Sequence, residues 1–227
     1  GTPALAKVLA AFPASLMLAG LAMAATLAIA LPLGIWLGGA GEGVLARILR
    51  GVLFALQGVP GFVVALLLVQ VFAISLVWLP ALGFAGPASW ILPAASVAAF
   101  LTPKLARLIE ANVIAALASP YVRTARAAGL GAGEILWGQA AGNALLGAVA
   151  LIGAQAAFLV TGLVIIETIF AWPGIGLLLI QSTTNLDFPV VQAITLLVSV
   201  AVFLVNGVSE QVQRWIDPRL AQPEGAL

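Results

Sequence analysis

The side chains able to do chemistry are few. The chain has no cysteine and no histidine, which removes disulfides, thiolate nucleophiles, the usual zinc sites and histidine acid–base work together. No glycine-rich loop ends in Gly-Lys-Ser or Gly-Lys-Thr, so nothing here can cradle nucleotide phosphates. What remains is one polar loop, 104–139, and scattered polar residues inside long apolar runs. Within the loop, Ser119-Pro120 reads as an N-cap followed by proline at the first helical position, and Gly129 as a left-handed stop. The stretch between them, Tyr121-Val122-Arg123-Thr124-Ala125-Arg126-Ala127-Ala128, forms a short helix on which Arg123 and Arg126 share a face. Tyr121, Val122 and Ala125 add apolar contacts. Such a helix suits a groove on another protein, although two arginines alone also suit anionic lipid headgroups.

The elements that must hold this helix follow from composition. Hydrophobic residues make up 63% of the 227 and charged residues only 7%, too few charges to cover a water-soluble surface, so the outside must face lipid. The net charge of +1 gives no bias toward nucleic acid. The expectation is an all-α, polytopic transmembrane helical bundle: a single transmembrane domain over 1–227 with about five spans, the loop helix and one re-entrant or interfacial segment. Charge-free intervals place the spans near 12–37, 52–79, 90–101 (continuing past Lys104), 140–165 and 188–208, each judged against the roughly 20 residues that cross a ~30 Å hydrocarbon core. Between Glu167 and Asp187, Trp172-Pro173-Gly174 interrupts an uncharged run too short to span. It is read as an interfacial or re-entrant segment, with Trp172 at headgroup depth.

Charge sets the orientation. Loops 41–50 and 102–139 and the tail after 209 hold Arg47, Arg50, Lys104, Arg107, Arg123, Arg126, Arg214 and Arg219, whereas 80–89 and 166–187 hold no Lys or Arg. By the positive-inside rule the first set is cytoplasmic, with the C-terminus inside and the N-terminus outside. A start outside without a signal peptide points to a further helix upstream of Gly1.

Polar groups within the spans include Gln57, Gln70, Asn143, Gln155, Thr161, Gln192, Thr195 and Asn206. Each either lines a watery path or bonds a neighbouring helix. Gly153, Ala157 and Thr161, four apart, read as a close-packing stripe. Gln155 lies off that stripe and is a path candidate, with Gln57 beside the Pro60 kink and Gln192. Glu167 is either part of an outer gate or docking surface or a carboxylate capping the following helix.

The segment from Tyr121 to Leu130 resembles the cytoplasmic coupling loop of the dipeptide, oligopeptide and nickel importer permeases, with Arg123-Thr124-Ala125 in the place of the wider superfamily's Glu-Ala-Ala and Gly129 as its glycine. Asn143-Ala144-Leu145, the stretch Glu167-Thr168-Ile169-Phe170-Ala171-Trp172-Pro173-Gly174-Ile175-Gly176, Asp187-Phe188-Pro189-Val190-Val191-Gln192 and Asp217-Pro218-Arg219 follow in order. Upstream, Leu31-Pro32-Leu33-Gly34 and Val59-Pro60-Gly61-Phe62 also fit. Ala128, Gly147 and Leu177 depart from the family's common lysine, proline and arginine, and 131–139 is nearly uncharged.

The resemblance implies a non-enzymatic permease subunit of an ATP-binding-cassette importer in a bacterial or archaeal inner membrane, moving a small solute, di- or oligopeptides foremost. It implies a second homologous permease, two ATPase subunits carrying ATP and magnesium, a periplasmic or lipid-anchored solute-binding protein, and no cofactor in this chain. It places ATPase coupling at Tyr121, Arg123, Thr124, Ala125, Arg126 and Gly129, and an outer gate or docking surface at Glu167, Trp172, Pro173 and Gly174. A secondary transporter or channel is the alternative, but such proteins usually carry ionisable groups at mid-membrane, and these spans have none.

Overall fold

Apolar runs too long for a soluble helix become four long helices in the computed structural model, which describes residues 3–84 and 86–216. They are α1 (Ala4–Gly39), α4 (Pro87–Leu117), α7 (Ala141–Gly162) and α10 (Phe188–Ile216). Between them lie α2 (Val44–Gln57), α3 (Gly61–Leu68), α5 (Pro120–Ala127), the single turn α6 (Ala132–Glu134), α8 (Val164–Ile169) and α9 (Ile175–Thr184). Wider π-helical turns extend α3 over Val69–Ser75 and link α6 to α7 over Ile135–Ala140. No strand occurs among the described residues. The 36 residues of α1 run through Pro13 and Pro32. Each proline removes one backbone bond, a loss that membrane helices tolerate when neighbours re-satisfy the freed group.

The helices at Ala4–Gly39, Pro87–Leu117, Ala132–Leu159 and Phe188–Trp215 are long and apolar enough to cross a membrane. The expected span over 52–79 is not one helix. Val44–Gln57 and Gly61–Ser75 meet at a 107° bend, so the count is four, or five if this pair is one span. Gly58 ends α2 and Pro60, which has no N–H to donate, sits at the N-cap of α3, while the residue before a proline is pushed out of helical conformation. The third span runs on to Leu117, past Lys104 as the sequence implied. The fourth begins earlier and ends at Gly162 rather than 165, because the chain turns at Leu163 before α8.

Within the described residues the chain forms two compact units: 3–26, 59–84, 86–101 and 155–205 in the first; 27–58, 102–154 and 206–216 in the second. In the first, Leu18, Ala65, Leu92, Leu101, Leu159, Phe170 and Trp172 form the main core. In the second, Leu37, Leu53, Leu105, Ile109 and Ala144 do so. Glycines permit the closest approaches there: a Cβ on Gly34 would lie 2.6 Å from the Ala106 carbonyl oxygen, and one on Gly38 2.6 Å from Val113 Cβ. These small residues four apart let α1 and α4 pack backbone to side chain. Gly153, from the small-residue stripe expected on α7, packs directly on Ser209 of α10, whereas Thr161 is exposed.

Candidate functional site

The loop helix α5 is held by its apolar side. Val122 and Ala125 are buried with Ile135 and pack against Leu117 and Leu130. Its end is a double closure: Gly129 N–H donates to the Arg126 carbonyl at 3.0 Å and Leu130 N–H to the Ala125 carbonyl at 3.2 Å. Gly129 holds φ +88°, the left-handed conformation that this motif demands and glycine adopts without steric cost. Ser119 occupies the N-cap position in extended conformation, yet its hydroxyl donates back to the Ala116 carbonyl rather than capping α5. The hydroxyl cap expected there is therefore absent, and Pro120 alone marks the start. Asn143 at the head of α7 donates Nδ2–H to the Tyr121 hydroxyl at 3.0 Å.

What this seat leaves outward is Tyr121, Arg123, Thr124 and Arg126, all exposed, with Ala125 turned inward. Neither arginine forms an ion pair among the described residues. The loop thus presents two uncompensated cations on a preorganised helix, an arrangement able to bind an anionic or groove-shaped partner surface.

In the first unit, Glu167 organises a second constellation. It is fully buried. Oε2 accepts from the Gly176 and Leu177 backbone N–H groups at 2.7 and 3.2 Å, and Oε1 accepts from the Ser15 hydroxyl at 2.6 Å. Ser15 Oγ in turn accepts from Ile175 N–H at 2.9 Å. Between them, Glu167 and Ser15 satisfy the free N–H groups that open α9, and the carboxylate's charge complements that helix end. The cap proposed for Glu167 is present, but in the protein interior, so its carboxylate is not on a docking surface.

Trp172 is likewise buried, not a headgroup anchor: its indole N–H donates to the Ala14 carbonyl at 2.8 Å and its ring meets Phe84 edge-on with centroids 4.8 Å apart. Gly174 is buried against the Glu167 carboxylate, where a Cβ would collide with both oxygens, and only Pro173 of the Trp-Pro-Gly turn is exposed. Ala171, at φ +49°, makes the turn that sends Trp172 inward.

With this geometry in hand, residues 30–222 match the family model described as "Binding-protein-dependent transport system inner membrane component". The chain belongs to that family. Its curated relatives include the "Glutathione transport system permease protein GsiC" of Escherichia coli strain K12, 35% identical over 71% of this chain and 53% of the relative. The protein of the same name from Salmonella choleraesuis strain SC-B67 is 34% identical over 75% of this chain and 56% of the relative. The chain therefore spans about half the length of these relatives. The fold is shared with the MetNI methionine ABC transporter in inward-facing conformations (TM-score 0.78, 15% identity, 95% of this chain and 99% of that one). It is also shared with an amino acid ABC transporter solved with histidines (TM-score 0.71, 16% identity, 92% and 93%).

Of this family member's candidate path residues, Gln57 lies in the second unit and Gln155 and Gln192 in the first. Gln57, in the second unit, is exposed and accepts a bond from Arg107 at 2.9 Å while that guanidinium lies over the Phe54 ring. Gln155 is buried at 8% exposure. Gln192 is exposed on α10. The C-terminal Asp217-Pro218-Arg219 motif lies outside the described residues.

Three structural contacts went unread in the sequence. A serine in an apolar helix gave no sign of Ser15's role. Asn143 stood out as polar but not as the Tyr121 partner. Arg50 and Glu110, 60 residues apart, form a 2.6 Å ion pair whose only trace is that Glu110 is an acid inside a basic loop.

Proposed function

We propose that this chain is the membrane-spanning permease half of an ATP-driven importer, coupled to separate ATPase subunits through α5. The observation that carries this reading is the exposed Arg123–Arg126 face, without an ion pair among the described residues, on a helix locked at both its apolar side and its C-terminus. A chain of this family with no phosphate-binding loop needs an external source of energy. A rigid basic helix rooted on α4 and α7 is a lever through which a closing partner can move those helices. In this reading α5 faces the cytoplasm and the C-terminus lies on the same side. A second permease copy or homologue, two ATPases and a solute-binding protein complete the assembly.

Small peptides are the proposed cargo. The relatives named for glutathione transport support it, since glutathione is a tripeptide.

The test is co-purification of the ATPase subunits with the tagged chain, followed by uptake in proteoliposomes. Wild type is expected to retain the ATPases and accumulate peptide only with ATP and the binding protein. Arg123→Glu with Arg126→Glu is expected to reduce ATPase recovery by about tenfold or more, as reversal of close interfacial charges does elsewhere. Solute accumulation by the purified chain alone, driven by an ion gradient, would sink the reading.

A further inference from the structure

A cleft of about 190 Å³ opens in the first unit beside the Glu167 cap, lined by Thr161, Glu167, Thr195 and Ser199 together with aliphatic side chains such as Leu179 and Val198. Its polar character is one-sided. Each hydroxyl spends its proton on its own helix: Thr161 on the Phe158 carbonyl at 3.1 Å, Thr195 on Val191 at 2.9 Å and Ser199 on Thr195 at 2.8 Å. A hydroxyl oxygen has two lone pairs besides its proton, so what these groups can offer a ligand is acceptors. Among the described residues no lysine or arginine lines the cleft, and the one ionisable residue there is Glu167. The carboxylate oxygens are already engaged by Ser15, Gly176 and Leu177, so Glu167 is taken up by its own cap and the open acceptors are the hydroxyl oxygens.

The three hydroxyl residues are also exposed, and Gln192 continues their line along α10. At 100° per residue Gln192, Thr195 and Ser199 fall within about 60° of arc. A polar stripe on a membrane helix usually faces protein or a watery path rather than lipid.

We propose that this cleft is a subsite for a primary ammonium group, the free amino end of the solute being moved. The proposal deepens the importer reading above and rests on it. An ammonium brings three N–H donors to a space whose open polar valences are hydroxyl acceptors and which no cation lines among the described residues. The cleft is smaller than the roughly 300–1,000 Å³ of sites that hold a whole ligand, which fits one end group and its adjoining α-carbon, with the rest of the solute outside.

The test uses the purified membrane complex without the solute-binding protein, so that protein's own selectivity does not enter. Calorimetric titration compares dialanine, N-acetyl-dialanine and dialaninamide. Acetylation is expected to weaken binding about tenfold and amidation to leave it nearly unchanged, as loss of charge-assisted donors would dictate. Thr195→Val combined with Ser199→Ala keeps the shape and removes two of the three hydroxyl acceptors. It should bring the free and acetylated peptides to within about threefold of each other, with Thr161→Val as a second variant should the first fail to fold. The proposal is overturned if acetylation costs nothing in wild type, if the variants keep the discrimination, or if dialanine fails to bind at about 20 mM, beyond the weakest useful affinities. Failure of the ATPases to co-purify would instead sink the importer reading, and the same titration would then be run on the full-length permease in detergent.

Discussion

At Ser15, one oxygen is donor to Glu167 and acceptor from Ile175, tying α1 to α8 and α9 at a single buried point. Removing it orphans a backbone N–H and strips a donor from a buried carboxylate, and each unmet group costs about 1–3 kcal/mol. Ser15→Ala should therefore lower the unfolding midpoint in detergent, and Ser15→Thr should recover part of the loss. Gly176→Ala should be at least as damaging, because its Cβ would lie 2.6 Å from Val164 Cα, a backbone atom that has little room to yield. A scan in which both variants melt with wild type would refute this account of the cap. The asymmetry in what could be read beforehand has a plain cause. An acid just ahead of a glycine-opened helix carries a local signature, so capping by Glu167 was legible. Its depth was not, because burial depends on α1 and on the Phe84–Trp172 contact. Nor was Ser15, whose partners lie more than 150 residues away.

At the scale of elements, α5 was the most legible feature, since Pro120 and Gly129 mark its ends locally and the alternation of Val122 and Ala125 with arginines marks its faces. Its seat was harder to foresee. Ile135 comes from a π-helical turn that begins near the end of the loop, in a segment noted only for lacking charge. The seat and the proposed docking face are separable by mutation. Val122→Asp buries a charge in the Ile135–Leu117 cluster and should loosen the helix, reducing ATPase recovery although both arginines remain. Gly129→Ala forces a side chain into φ +88°, a strain of about 1 kcal/mol, and should weaken recovery less. If Val122→Asp retained the ATPases as well as wild type, α5 would not act as a rigid lever. Elsewhere, local signals pointed the wrong way. Apolarity alone joined 52–79 into one span, but Gly58 ends one helix and Pro60 opens the next.

For the whole molecule, the distribution of charge carries orientation as well as contacts. Arg50 joins the end of α1 to α4: Nε donates to Glu110 at 2.6 Å, Nη1 to the Gly41 carbonyl at 2.8 Å and Nη2 to the Leu37 carbonyl at 3.0 Å. Its cation thus closes the negative end of α1. Glu110 is 9% exposed, so Arg50→Ala leaves an unpaired buried charge and should destabilise by about 2 kcal/mol or more, visible as a lower melting midpoint with little change in surface labelling. Lys7, the one cation assigned to the outer side, is held by Asp187 at 3.1 Å, so its presence there does not weaken the positive-inside argument. That argument can be tested directly because the chain contains no cysteine and needs no background removal. Leu82, 61% exposed in the uncharged stretch before α4, and Thr124, exposed on α5, lie on opposite sides of the membrane if the rule holds. In intact cells a membrane-impermeant maleimide should label Leu82→Cys at once and Thr124→Cys only after permeabilisation. Adding the ATPase subunits should then protect Thr124→Cys, as a residue on the docking face, and leave Leu82→Cys unaffected. Labelling of Thr124→Cys in intact cells would place α5 outside, away from any cytoplasmic ATPase, and would undo both the orientation and the coupling role that depends on it.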